Sequence, residues 1–158
     1  MKLTLEMLES AGACLRGINL YKLHGCPDTV EAAIQLCIKL RTYQYANWLL
    51  CYIALSPRQC LLYIQQVAKI FLPFLEAQIE SPLVASTITR SKNILESDAG
   101  VETSPRAYVF CWKLAFTADC YNAIEWAKII EYGLELTNNN KRKAKLIKLD
   151  EEGACIKS

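Results

Sequence analysis

The stretch SPRQCLLYIQQVAKIFLPFLEAQIE, residues 56–80, decides the fold. Ser56 is placed to cap a helix whose first residue is Pro57, and Gln59 stands where a capping box needs its side chain. Cys60, Leu61, Ile64, Val67, Ala68, Phe71, Leu75 and Ile79 then recur at helical spacing. Arg58, Gln65, Gln66, Lys69 and Glu76 fall mostly on the other side. The pattern predicts a long, half-buried helix, the core element of an all-α domain. Pro73 lies inside it. A proline removes one backbone hydrogen bond and crowds the preceding turn, so a kink is expected near Lys69 to Phe71.

Composition points the same way. A chain of 158 residues that is 53% hydrophobic and 22% charged is not disordered, and its length suits one domain. Six glycines and five prolines are too few for an all-β chain full of tight turns. Residues 1–140 carry 12 Lys/Arg against 13 Asp/Glu, a net of −1, whereas residues 141–158 carry 6 against 3, a net of +3. The chain therefore divides into a near-neutral helical domain, 1–140, and a basic tail, 141–158. A body that tracks nucleic-acid phosphates is usually basic throughout. The longest apolar run, Trp48 to Leu55, is far short of the roughly twenty residues that span a bilayer, so no membrane segment is expected. Met1 to Glu9 is charged and does not read as a signal peptide. With eight cysteines and no Cys-x-x-Cys pair, the thiols read as reduced small hydrophobes in a cytoplasmic protein, without a metal site.

Outward from the central stretch, the punctuation is that of short connections. Thr4 opens a first short helix, and Gly12 separates it from a second built on Cys14, Leu15, Ile18, Leu20 and Tyr21. Leu23 to Asp28 is a break; Asp28 with Glu31 reads as a capping box for a helix to about Leu40. A further helix runs from Thr42 to Leu55. Ser81-Pro82 opens a helix to about Ser97, and Val101 to Ser104 reads as the exposed loop before Ser104-Pro105 opens the next. There Ala107, Cys111, Leu114 and Ala118 line one face and Trp112 and Phe116 a second, as in the middle of a bundle. Asp119 is placed to cap a last helix to about Leu136, with Thr137 to Asn140 as a polar stop. Ser-Pro recurs at 56, 81 and 104, but the segments between share no further pattern, so a solenoid is rejected. The expectation is a compact antiparallel bundle of six or seven helices, with the Ser56–Glu80 helix between Thr42–Leu55 and Ser104–Leu136.

No catalytic, metal or cofactor constellation emerges. His24 is the only histidine and sits beside Gly25 and Pro27, a surface turn rather than the site of a general base. Without a second histidine, a Cys-His pair would have to use it, with Cys26 or Cys120 as candidates that nothing else supports. Glu6, Glu9, Glu31, Glu76, Glu125 and Glu131 fit caps and solvent faces, and no Gly-rich phosphate loop is present. Two features remain as partner-binding candidates. The aromatic stripe Tyr43, Tyr45, Trp48 and Tyr52 has the residue types of binding hot spots, although helical spacing also suits core packing. Trp126, Tyr132 and Tyr121 near the last helix invite the same weighing. Lys141, Arg142, Lys143, Lys145 and Lys148 form a cationic run that could meet nucleic-acid phosphates, partly cancelled by Asp150-Glu151-Glu152.

Two stretches carry a resemblance. Residues 3–50, through Gly12-Ala13-Cys14, Leu36-Cys37 and Ala46-Asn47-Trp48-Leu49-Leu50, resemble an N-terminal segment of small phage proteins. Residues 58–96 and 126–136, with Ile70-Phe71 and the closing Tyr132-Gly133-Leu134, resemble helical phage and prophage proteins of the immunity-protein type. Where that pattern has a charged Asp-Lys-Arg-Pro turn, this chain has Glu80-Ser81-Pro82. The resemblance carries over no catalytic residue. It implies a phage or mobile-element origin and a non-enzymatic helical protein that binds and inhibits a host defence protein, such as a nuclease complex (anti-CRISPR-like), or a toxin. The alternative is a nucleic-acid-binding regulator using the basic tail.

Overall fold

The computed structural model describes residues 1–77, 81–97, 104–117 and 126–139. Among them the chain is helical, and its only β pairing is one isolated bridge between Lys2 and Thr29. In order the helices are α1 (Leu5–Ser10), α2 (Leu15–Leu23), α3 (Val30–Lys39), α4 (Tyr43–Leu49), α5 (Pro57–Glu76), α6 (Pro82–Leu95) and α7 (Ser104–Thr117), followed by α8 over 126–139. One hydrophobic core joins them, from Leu3 to Leu134. The all-α class is as expected.

Helix α5 forms where its sequence dictates. The Ser56 hydroxyl accepts from the Gln59 N–H at 3.3 Å, and the Gln59 carboxamide accepts from the Ser56 N–H at 2.8 Å, closing the capping box. The same carboxamide donates to the carbonyl of Leu136 at 2.7 Å, so the cap of α5 also fastens α8. Cys60, Leu61, Ile64, Val67, Ala68, Phe71 and Leu75 are buried, as the spacing required. The helix passes through Pro73 and ends at Glu76 with Ala77 as its C-cap, earlier than the expected Glu80. Ile79 lies outside the described residues. The main neighbour of α5 is α6, which the sequence did not predict; α7, within the expected Ser104–Leu136 stretch, comes next. The Gln65 carboxamide donates to the carbonyls of Ile94 and Ser97, at 3.0 and 2.9 Å, satisfying orphan groups at the end of α6.

Three further expectations are corrected. Helix α3 is capped by Thr29, whose hydroxyl accepts from the Ala32 N–H at 3.1 Å, and not by Asp28. The Asp28 carbonyl is engaged by the Leu3 N–H at 2.9 Å, and Glu31 instead holds the Met1 amine at 2.9 Å. Beyond Leu49 the expected continuous α-helix widens into a π-helical turn, Leu50–Ala54, closed by the Leu55 N–H on the Leu50 carbonyl at 2.8 Å. Helix α8 does not stop at the polar residues after Leu136 but continues over them, with the Thr137 hydroxyl donating back to the Leu134 carbonyl at 2.7 Å.

Packing between the last helix and the rest turns on one residue. A Cβ at Gly133 would lie 2.7 Å from Leu50 Cδ1 and 2.9 Å from Tyr63 Cε2. Only a bare α-carbon lets α8 sit this close to the π-helical turn and α5. That gives the Tyr132-Gly133-Leu134 motif a structural reason. Of the loop expected over Val101 to Ser104, Ser104 is instead the first residue of α7; 101–103, the expected cap at Asp119 and the tail 141–158 lie outside the described residues. No helix among the described residues is long and apolar enough to cross a membrane.

Candidate interaction site

The site is built on the periodicity of α4. At 100° per residue, Tyr45, Trp48 and Tyr52 fall within about 60° of one another, while Tyr43 lies on the far side. The structure separates them accordingly. Tyr43 is buried, whereas Tyr45, Trp48 and Tyr52 are half-buried and packed against the core. Trp48 and Tyr52 stack at 5.2 Å between ring centroids, with 17° between planes. Tyr52 then meets the edge of Tyr108 on α7 at 5.9 Å and 69°. Both geometries are those the aromatic quadrupole favours. One turn beyond Tyr108 stands Trp112, 51% exposed, with Val109 beside it at 45%. An aromatic face therefore crosses from α4 and its π-helical turn onto α7.

Two hollows flank Tyr108. One, of about 230 Å³, lies beneath α2 and is lined by Cys14, Gly17, Leu20, Tyr45, Trp48 and Cys37, among others. The second, of about 210 Å³, is bounded by Tyr43, Gln44, Asn47, Cys111, Trp112 and Trp126. Burial pushes the hydroxyls of Tyr45 and Tyr108 above the ordinary tyrosine value, with Cys14 adding to both. Both remain neutral donors well into the alkaline range.

Behind the face lies a buried polar hub. The Tyr63 hydroxyl donates to Asn47 Oδ1 at 2.6 Å, and Asn47 Nδ2 donates to the Tyr43 carbonyl at 3.1 Å. Both side chains are buried, so the pair fixes α4 on α5 through groups that cannot be left unpaired. Three buried cysteines surround it. The Cys60 thiol donates to the Cys51 carbonyl at 3.7 Å. The Cys51 thiol is held well above the ordinary value, most by its hydrogen bond with Cys111, against a lowering by Cys60 and with burial adding. Tyr63 is raised well above its ordinary value by burial first, then by the neighbouring thiols. A proton is hard to remove here, which suits structural thiols rather than nucleophiles.

The other candidates are dispersed. His24 is exposed at the C-cap of α2. Cys37, Cys51, Cys60 and Cys111 are buried and Cys14 and Cys26 exposed, all six as thiols outside any disulfide, and Cys120 and Cys155 lie outside the described residues. Glu6, Glu9, Glu76 and Glu131 are exposed, with Glu76 paired to Lys92 at 3.0 Å. Among the described residues, no cluster of His, Cys, Asp or Glu could hold a metal ion. Trp126 is buried against Phe71 at 5.0 Å and Tyr132 is half-buried, while Tyr121 and Lys141 to Lys148 lie outside the described residues. The sequence reading missed Tyr108 and misplaced Trp112, which it set on an inward second face of α7. The signal was present in the i, i+4 spacing of Tyr108 and Trp112, but periodicity alone does not say which apolar stripe faces the core.

The fold and site define an all-α protein with one core and an aromatic face. No family model, curated protein or solved structure matches the chain.

Proposed function

We propose that this chain is a non-enzymatic binding protein whose aromatic face on α4 and α7 receives a partner protein. The observation that supports this reading is the exposure of Trp112 and Val109 beside Tyr108, Tyr52 and Trp48. Large rigid aromatic side chains contribute contact area at small conformational cost, and they dominate measured interfaces. The resemblance to phage and prophage immunity-type proteins supplies the partner class: a host defence protein or a toxin, inhibited by being held. On this reading the buried thiols and the Asn47–Tyr63 pair keep the face rigid and take no part in chemistry.

The experiment is affinity capture from host lysate with the unmodified chain and with a Val109→Ser/Trp112→Ala double variant. Both residues are substantially exposed, so the variant is expected to melt within a few degrees of the unmodified chain, since surface changes cost about 0.5 kcal/mol or less. A partner retained by the unmodified chain and lost by the variant supports the reading. Equal retention by both removes this face from it. The second reading, nucleic-acid binding through Lys141, Arg142, Lys143, Lys145 and Lys148, rests on five cations within eight residues. It requires a salt-sensitive mobility shift that disappears when 141–158 is deleted.

A further inference from the structure

We propose that the hollow beneath α2 is a binding site for a small, flat, uncharged aromatic molecule of about the size of a two-ring system. This inference does not rest on the partner reading above, because it concerns the space behind the aromatic face rather than the face itself.

Size comes first. The hollow measures about 230 Å³. A cavity of roughly 150 Å³ lined by aliphatic and aromatic side chains stays dry and binds benzene. Scaled from that, the space here takes a molecule of about nine or ten heavy atoms. It is too small for a partner helix or a folded segment. The walls come next. Leu8, Leu20, Leu36 and Leu49 supply aliphatic surface, and the rings of Tyr45 and Trp48 supply flat surface for offset stacking. Water gains little in such a space, and the lining atoms lack dispersion partners until an apolar body fills it.

The lining is mostly apolar. Cys14 Sγ accepts from the Gly17 N–H at 3.4 Å, and Tyr45 neighbours that thiol. A single hydroxyl or ring N–H on the ligand has a partner there, whereas a carboxylate or ammonium would meet no opposite charge among the residues lining the hollow. Gly17 contributes room: a Cβ built on it would already touch the Tyr45 ring at 3.5 Å.

The roof is loosely held, which gives the ligand a way in. Of the nine residues of α2 only Tyr21 is buried, while Leu15 is 72% and Leu23 79% exposed. The helix lies between Gly12, at φ +80°, and Gly25, at φ +77°, left-handed positions that glycine adopts without strain. A helix with so little buried surface opens at low cost compared with α5.

The test uses the full chain and indole, with nine heavy atoms and one ring N–H, as probe. Calorimetry should show saturable one-to-one binding, and octan-1-ol should bind more weakly. Ala13 is half-buried on the lining, so Ala13→Trp should fill the space and weaken indole binding about tenfold or more, about 1.4 kcal/mol, without lowering the melting temperature. A second measurement needs no variant. Cys14 lines the hollow and is exposed, whereas Cys26 is exposed but is not among the residues lining it. Saturating indole should slow alkylation of Cys14 by N-ethylmaleimide, read residue by residue by mass spectrometry, and leave Cys26 unchanged. Absence of saturable binding, or equal alkylation of Cys14 with and without the probe, overturns the proposal. Tighter binding of octan-1-ol than of indole, which has the same number of heavy atoms, overturns its aromatic class.

Discussion

Helix α5 and the α4 segment with its π-helical turn are neighbours in the chain and differ in what made them. In α5 the local instructions agree apart from Pro73: the capping box, the proline at the first position, and an apolar stripe whose residues are all buried as far as Leu75. In α4 the local instructions disagree. Thr42 makes no side-chain cap, the helix carries aromatic rings on opposite sides, and after Leu49 it widens by one residue per turn. What holds α4 in place is supplied by other elements: Tyr63 of α5 through Asn47, Tyr108 of α7 through Tyr52, and Gly133 of α8 through Leu50. Consistency between local and global preference yields a robust core element. Conflict between them is found where a surface is being shaped.

The largest effect that sharpens this contrast comes from the middle of α5. Ile64 is fully buried, and Ile64→Ala should cost about 2–5 kcal/mol in chemical denaturation through lost burial and the cavity left behind. A loss below about 1 kcal/mol would mean that α5 is not the centre of the core. Next is the junction of the two regions. Gly133→Ala should cost about 1–3 kcal/mol, even though alanine is the better helix former, because the new methyl meets the buried Leu50 and Tyr63 side chains. A stabilised variant would show that α8 does not approach this closely.

The smallest effect is expected from Tyr63→Phe, about 1–2 kcal/mol, since Asn47 Oδ1 loses its donor while the ring remains. The same hydroxyl makes an alkaline limit. Its folded-state value is raised, so its contribution is present below the ordinary value of 10.0 and is lost as pH rises through the folded one. Cys51 and Cys37, raised above 9.0, act in the same direction. Denaturation followed by circular dichroism should therefore give a constant stability up to about pH 9 and a decline above it, less steep in Tyr63→Phe. An identical decline in both proteins would clear Tyr63 of that role.

Of the aromatic face, the sequence made half legible. Tyr45, Trp48 and Tyr52 were visible as a stripe, because three rings at i, i+3 and i+7 share one side of any helix. Tyr108 was not, because the ring it meets, Tyr52, is more than fifty residues away in the chain, and the outward place of Trp112 was not, because α7 is apolar on two sides. Thr29 replaced Asp28 as a cap for a similar reason: the bridge to Lys2 occupies the backbone that Asp28 would have used.

The sequence by itself determined the helical class, the start of α5, the side it buries and the inward place of Cys37, Cys60 and Cys111. These depend on spacing and on groups within one or two turns of each other. Tertiary structure alone decided that α6 is the main neighbour of α5, that α4 ends in a π-helical turn, that Trp112 faces outward and that a hollow remains beneath α2. Each of those depends on which apolar surface finds which partner, and burial has no direction until the other helices are in place.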